Sequence, residues 1–225
     1  MNDAPADLPF FRVGPEHPVS PVILSVPHAG REYSEDLLKS ARVPRSTLET
    51  LEDRLVDRLV WRAVQDGATA FIARVPRAEI DLNRDEREID PALVAPPPPP
   101  SSLVQSARTR GGLGLVPSRI AGTGAIWLHR LSRDELARRV ERTHRPYHAA
   151  LAATLEAARS RFGAAILLDC HSMPPRVTEG GAKPPPIVLG DRHGTSCAPA
   201  LIEAAAAAAR RCGYRAVANQ PYAGG

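Results

Sequence analysis

The sequence predicts a single α/β domain, with a mainly parallel or mixed central sheet flanked by helices. Three observations carry that expectation. Val22–Val26 and Ala164–Leu168 are short, wholly apolar or nearly apolar runs with the pattern of strands buried on both faces. Capped stretches of helical period lie between such runs, so strands and helices alternate along the chain. At 225 residues the chain is long enough for one well-buried core and too short to favour a second full domain.

The elements follow in order. Residues 1–20 are proline-rich and polar and read as an arm over the surface, with the domain running from 21 to 225. Pro21–Val26 is the first strand, left through the turn Pro27-His28-Ala29-Gly30. Ser46 is placed to cap a helix reaching about Gln65, because Glu49 follows three residues later in capping-box register. Leu48, Leu51, Leu55, Leu59 and Val60 would form its apolar stripe, and Gly67 stops it. In that helix Asp53 and Asp57, four apart, share one face. Ala68–Val75 is the second strand, and the stretch RAEIDLNR (77–84) leaves it.

Residues 85–126 carry no clear period and include five prolines at 96–100, a stiff, solvated polyproline segment. So long an irregular stretch inside a compact domain reads as a cover over a site or as disorder. Ser132, with Glu135 three residues on, starts a long helix that ends near Phe162 and Gly163. The 164–168 strand comes next, then the loop MPPRVTEGGAKPPP and a strand at Ile187–Leu189. An alanine-rich helix, Ser196–Cys212, and a strand, Tyr214–Ala218, complete the chain.

Composition narrows the function classes. A hydrophobic content of 43% is ordinary for a soluble protein. Lys+Arg 29 against Asp+Glu 25 gives a formal charge of +4, with arginine spread along the chain. That is a mildly basic surface suited to small anions, not a nucleic-acid stripe. Aromatics at 4% leave little on which to stack bases. Cys170, Cys197 and Cys212 are odd in number and have no CxxC spacing, which fits a reducing cytoplasm. The N-terminal stretch lacks a basic region followed by an apolar core, and no apolar run approaches a membrane span, so a soluble protein with no membrane partner is expected.

The chemistry-bearing residues gather at strand ends. His28 follows the first strand, and Asp169, Cys170, His171 and Ser172 follow Ala164–Leu168. In open α/β sheets ligands sit at the carboxyl ends of strands. Two histidines delivered to one edge, with a carboxylate from the 46–65 helix, have the donor types of a zinc site that keeps a position open. Asp53 is the first choice for that carboxylate, with Glu52 and Asp57 as competitors; otherwise all three form a solvated face paired with Arg54 and Arg58. Arg77 and Arg84 are forked cations suited to carboxylate recognition, Asn83 offers donor and acceptor beside them, and Asp81 could orient an arginine or histidine from behind. His17, His129, His144 and His148 read as surface or packing residues, His193 as a rim residue and Cys170 as a buried, inert thiol. Ser172 lacks a GxSxG context, which argues against a serine hydrolase.

Taken together, VPHAG, the Asp53/Asp57 helix, IDLNR, GLGLVP, RPYH (145–148), LDCHS and LGDRHGTSC resemble the N-formylglutamate amidohydrolase (deformylase) family, in the same order from about residue 20 onward. The DLNR element is also similar to that of the aspartoacylase and succinylglutamate desuccinylase enzymes, which share a zinc-carboxypeptidase-like fold. The resemblance implies a zinc-dependent amidase, with one Zn²⁺ per chain, that removes a formyl or related acyl group from an N-acylated acidic amino acid in histidine breakdown. It implies His28, Asp53 and His171 as metal ligands, Arg77 as the group polarising the scissile carbonyl, and Asn83 with Arg84 as the substrate-carboxylate site. Family members continue past the NQPYAGG-like stretch into a segment with a glutamate suited to act as general base, whereas this sequence ends at Gly225. Two other readings use the same residues: a zinc hydrolase for another N-acyl amino acid or peptide terminus, or a non-catalytic member that binds an anionic metabolite.

Overall fold

A computed structural model describes residues 8–173 and 187–224. The chain divides into two compact units, residues 1–172 and 173–225.

The first unit opens with β1 (Phe10–Val13) and β2 (Val22–Val26). Four short helices follow, α1 (Glu35–Ser40), α2 (Arg45–Leu48), α3 (Val56–Leu59) and α4 (Trp61–Gln65), and then β3 (Thr69–Ala73). Residues 85–126, expected to be irregular, hold small pieces: β4 (Val94–Ala95), α5 (Ala107–Arg110), β5 (Arg119–Ile120), β6 (Gly124–Ala125) and the 3₁₀ turns Pro91–Leu93 and Pro100–Ser102. After β7 (Leu131–Ser132), helix α6 (Arg133–Arg139) continues through a π-helical turn, Val140–His144, into α7 (Arg145–Phe162). The last strand of the unit is β8 (Ile166–Asp169).

Four strands form a mixed sheet of order β1-β3-β2-β8. β2 runs parallel to both β3 and β8, while β1 lies antiparallel on β3. The three parallel strands therefore end on one edge, where His28, the RAEIDLNR segment and His171 emerge. Alternation along the strands serves both faces. Ile23 and Phe71 pack with Tyr147, Leu48 and Leu115, and Leu24, Val26, Ala70 and Ile72 pack with Val56 and Val60.

Several expectations needed correction. Part of the N-terminal arm is a sheet strand, and its Phe10 is buried in the core against Phe71 and Tyr147. The helix expected over 46–65 is broken into three helices and a 3₁₀ turn, Glu49–Leu51. Its N-cap position is Pro44, with no side-chain cap, instead of Ser46. The break lies at 52–55, where the Asp53 N–H donates to the His28 carbonyl at 2.9 Å and Leu55 adopts a left-handed φ of 69°. Leu55 and Leu59, expected in the apolar stripe, are consequently exposed, and Val56 takes a buried place. β8 also differs: Leu167 and Leu168 are exposed, so it is not a strand buried on both faces, and among the described strands it pairs with β2 alone. The Ser132 cap is present, its hydroxyl accepting from the Glu135 N–H, and Gly163 closes the long helix at φ 76°.

The second unit holds β9 (Ile187–Leu189), α8 (Pro199–Arg211) and β10 (Ala216–Ala218), with β9 and β10 paired in parallel. Most of the proline- and glycine-rich loop, residues 174–186, lies outside the described residues. Among the described residues, no helix is long and apolar enough to cross a membrane.

Candidate active site

Three features bring the candidate residues together. Parallel pairing places the exits of β2 and β8 side by side, with Ser25 in register with Asp169. The VPHAG turn is pressed against the segment after β3: a Cβ at Gly30 would lie 1.9 Å from the Val75 carbonyl oxygen, so only glycine fits. The interruption of the 45–65 region then carries Asp53 to the histidines, its N–H held by the His28 carbonyl.

His28, Asp53 and His171 converge. Asp53 Oδ2 faces His28 Nδ1 at 3.2 Å and His171 Nδ1 at 2.8 Å, and the two imidazole rings lie 4.7 Å apart. One potential ligand atom from each residue falls within a 4.8 Å cluster. Two nitrogens and one carboxylate oxygen suit a borderline cation such as zinc, so the residues present fit that ion. Of the competing carboxylates, Glu52 accepts from Tyr33 Oη at 2.7 Å and Arg54 Nε at 3.1 Å, and Asp57 accepts from Arg31 at 3.0 Å. Only Asp53 of the three meets both histidines.

Each of these groups is held from behind. His28 Nε2 donates to Asp81 Oδ1 at 2.7 Å, and Arg77 Nε donates to Asp81 Oδ2 at 2.8 Å. Asp81 thus orients both a histidine and an arginine. Ser172 Oγ donates to Asp53 Oδ1 at 3.0 Å. His171 Nε2 lies 2.8 Å from Asp169 Oδ2 and 3.1 Å from the Asn83 side-chain amide. Arg84 is buried; its Nε donates to the Leu113 carbonyl and lies 3.7 Å from Asp81 Oδ2, and its Nη1 donates to the Asn83 carbonyl.

The electrostatics follow from these contacts. Burial opposes ionisation of Asp53, but the hydrogen bonds from His171 and His28 prevail and hold its carboxyl well below the usual range. Asp81 is likewise held low: burial is outweighed by His28, Arg77 and Arg84. Burial disfavours the charged form of His171, yet Asp169 and Asp53 overcome it and raise the ring to about 9. Cys170 is pushed up to about 11 by burial and then by Asp169, as suits an inert thiol.

Sequence reasoning missed the supports around the site. His144 Nε2 donates to the Arg84 carbonyl at 2.8 Å and His148 Nε2 to the Leu82 carbonyl at 2.9 Å, so these histidines fix the DLNR segment. The GLGLVP loop does so from the other side, since the Asp81 N–H donates to the Leu115 carbonyl at 2.7 Å. The clue was the company RPYH and GLGLVP kept with IDLNR. His17 and His129 are exposed, as expected for surface residues, and His193 is exposed too.

Comparison with known proteins identifies the family. The N-formylglutamate amidohydrolase family model matches residues 20–225. The chain belongs to this family. It is similar to an N-formylglutamate deformylase of Pseudomonas putida, 31% identical over 211 residues, covering 91% of this chain and 72% of the relative. A Pseudomonas aeruginosa N-formylglutamate deformylase is 30% identical over 213 residues, covering 91% and 72%. Among solved structures, an N-formylglutamate amidohydrolase from Ralstonia eutropha JMP134 superposes with a TM-score of 0.88 at 36% identity, covering 96% of this chain and 78% of that one. The mixed α/β architecture of the family is therefore the architecture of this chain.

Proposed function

We propose that this chain is a zinc-dependent amidohydrolase that releases formate from N-formyl-L-glutamate. The observation carrying the reading is the meeting of His28, Asp53 and His171 at the parallel-strand edge, beside Arg77, Asn83 and Arg84, in a member of this family. The deformylase names of the relatives support the substrate.

His28, Asp53 and His171 would hold the ion. When bound, zinc supplies a Lewis acid for the amide carbonyl and makes a hydroxide nucleophile available near neutral pH. The remaining work falls to side chains of the protein. Arg77, steadied through Asp81, would donate to the oxyanion as the carbonyl becomes tetrahedral; one such donor is typically worth about 2.7–4 kcal/mol. Asn83 and the N–H groups of Arg84 would bind a substrate carboxylate, with the Leu113 and Asn83 carbonyls fixing the Arg84 fork. Asp81 would keep His28 in the tautomer that presents Nδ1.

The test is metal content of the purified chain together with formate release from N-formyl-L-glutamate. We expect about one zinc per chain, activity lost on chelation and restored by zinc, and no retained zinc in His171→Ala. Formate release that survives exhaustive chelation would overturn metal dependence, and a zinc-loaded chain inert toward N-formyl-L-glutamate would overturn the substrate.

A further inference from the structure

We infer that Asp169 is the positioning residue of His171, a carboxylate tied through Ser25 to the buried Tyr147 that fixes the ring so that Nδ1 faces Asp53. The inference rests on the zinc site proposed above and concerns a residue outside the ligand set.

His171 needs such a hold. It lies beyond the end of β8, and the ring against it is the His28 imidazole, tilted by 47° with the centroids 4.7 Å apart. A ring so placed can turn about its side-chain bonds and exchange the nitrogen it offers. Asp169 prevents the exchange by geometry. As the last residue of β8 it lies two positions before His171, and its Oδ2 meets Nε2 at 2.8 Å. Nε2 is the nitrogen opposite the one that faces Asp53, so Asp169 touches the ring from its far side. A carboxylate only accepts, so Asp169 holds a proton on Nε2; Nδ1 also faces a carboxylate in the metal-free chain, and it is the nitrogen left to a cation once its own proton is displaced. The Asn83 amide nitrogen, at 3.1 Å, is the longer contact to the same nitrogen and, as a donor itself, does not accept the Nε2 proton.

Asp169 is itself pinned. Ser25, its register partner on β2, donates from Oγ to Asp169 Oδ1 at 2.7 Å. The single Ser25 proton is thereby used, so Tyr147 Oη, 2.9 Å away, donates to Ser25, the Phe71 carbonyl oxygen being its more distant acceptor at 3.4 Å. Tyr147 comes from α7 and is among the most deeply buried side chains. The chain Tyr147–Ser25–Asp169–His171 thus runs from the core to the site, with each proton assigned by its acceptor. Outer partners of metal-bound histidines commonly govern affinity in this way, and removing one typically costs about 10–100-fold.

The test is zinc affinity by competition with a chelating dye, for wild type, Asp169→Ala, Asp169→Asn and Ser25→Ala, with long-range ¹H–¹⁵N spectra of the His171 ring. We expect Asp169→Ala to weaken zinc about 10–100-fold. Asp169→Asn, which keeps an acceptor oxygen, should fall in between, and Ser25→Ala should show a smaller loss of the same sign. Zinc-loaded wild type should show a protonated Nε2 on His171, and Asp169→Ala should lose that signal. Wild-type affinity together with an unchanged ring spectrum in Asp169→Ala would overturn the inference while leaving the site standing. A wild type that binds no zinc would overturn the reading on which both depend. Should Asp169→Ala not fold, Ser25→Ala and Asp169→Asn carry the decision, and wild-type affinity in both would overturn the role.

Discussion

At the scale of single residues, Gly30 decides how closely two pieces of the site approach. A Cβ there would lie 1.9 Å from the Val75 oxygen and 2.4 Å from its carbon, both main-chain atoms that no side-chain rotation can move aside. Gly30→Ala must therefore push the VPHAG turn away from the segment that leads into Arg77. Overpacking of this kind costs typically about 1–3 kcal/mol. We expect destabilisation in that range by urea unfolding, with weaker zinc binding because His28 moves with the turn. Wild-type stability in Gly30→Ala would show that the two segments separate without cost.

At the scale of elements, the interrupted region between Arg45 and Gln65 trades helix for position. Leu55 sits at φ 69° and is 54% exposed, so a branched residue bears left-handed strain with little packing return. That conformation costs an ordinary residue roughly 1–2 kcal/mol, of which glycine's greater unfolded freedom would recover only part. Leu55→Gly should raise the urea midpoint by about 0.5–1 kcal/mol of stability, with zinc affinity unchanged; a lowered midpoint would place the strain elsewhere. The same region shows where sequence reasoning stops. The Ser132 cap and Gly163 terminus are local signals, and both were legible. The break at 52–55 is imposed by a long-range bond, Asp53 N–H to the His28 carbonyl, which no local pattern announces. Asp53 was nonetheless the carboxylate of choice, and Asp81 was readable as an orienting group because Arg77 lies on its own segment. Asp169 was not readable in that role, since its tie to Ser25 exists only once β2 and β8 are in register. The exposure of Leu167 and Leu168 was hidden as well: an apolar run does not reveal whether another element covers the faces of its strand.

At the scale of the whole molecule, the proposed ligands come from distant stretches of one unit, His28 after β2, Asp53 from the helical interruption and His171 after β8. Such a set exists only in the folded chain, so an ion binding there favours the native state by mass action. At a free zinc concentration one hundred times Kd, the gain is about 2.7 kcal/mol. For a protein of this size that corresponds to a rise in Tm of roughly 5–10 °C. We expect that rise on adding zinc to metal-free protein, its reversal by chelator and its absence in His171→Ala. The location of the effect is the sharper demand. The ligands bridge the exits of strands paired directly with one another, so hydrogen-exchange protection on zinc binding should increase most along β2, β8 and the Glu52–Leu55 interruption. β9 and β10 contribute no ligand, and their protection is expected to change less. A rise in Tm that persists in His171→Ala, or protection centred on β9 and β10, would place the ion elsewhere in the chain.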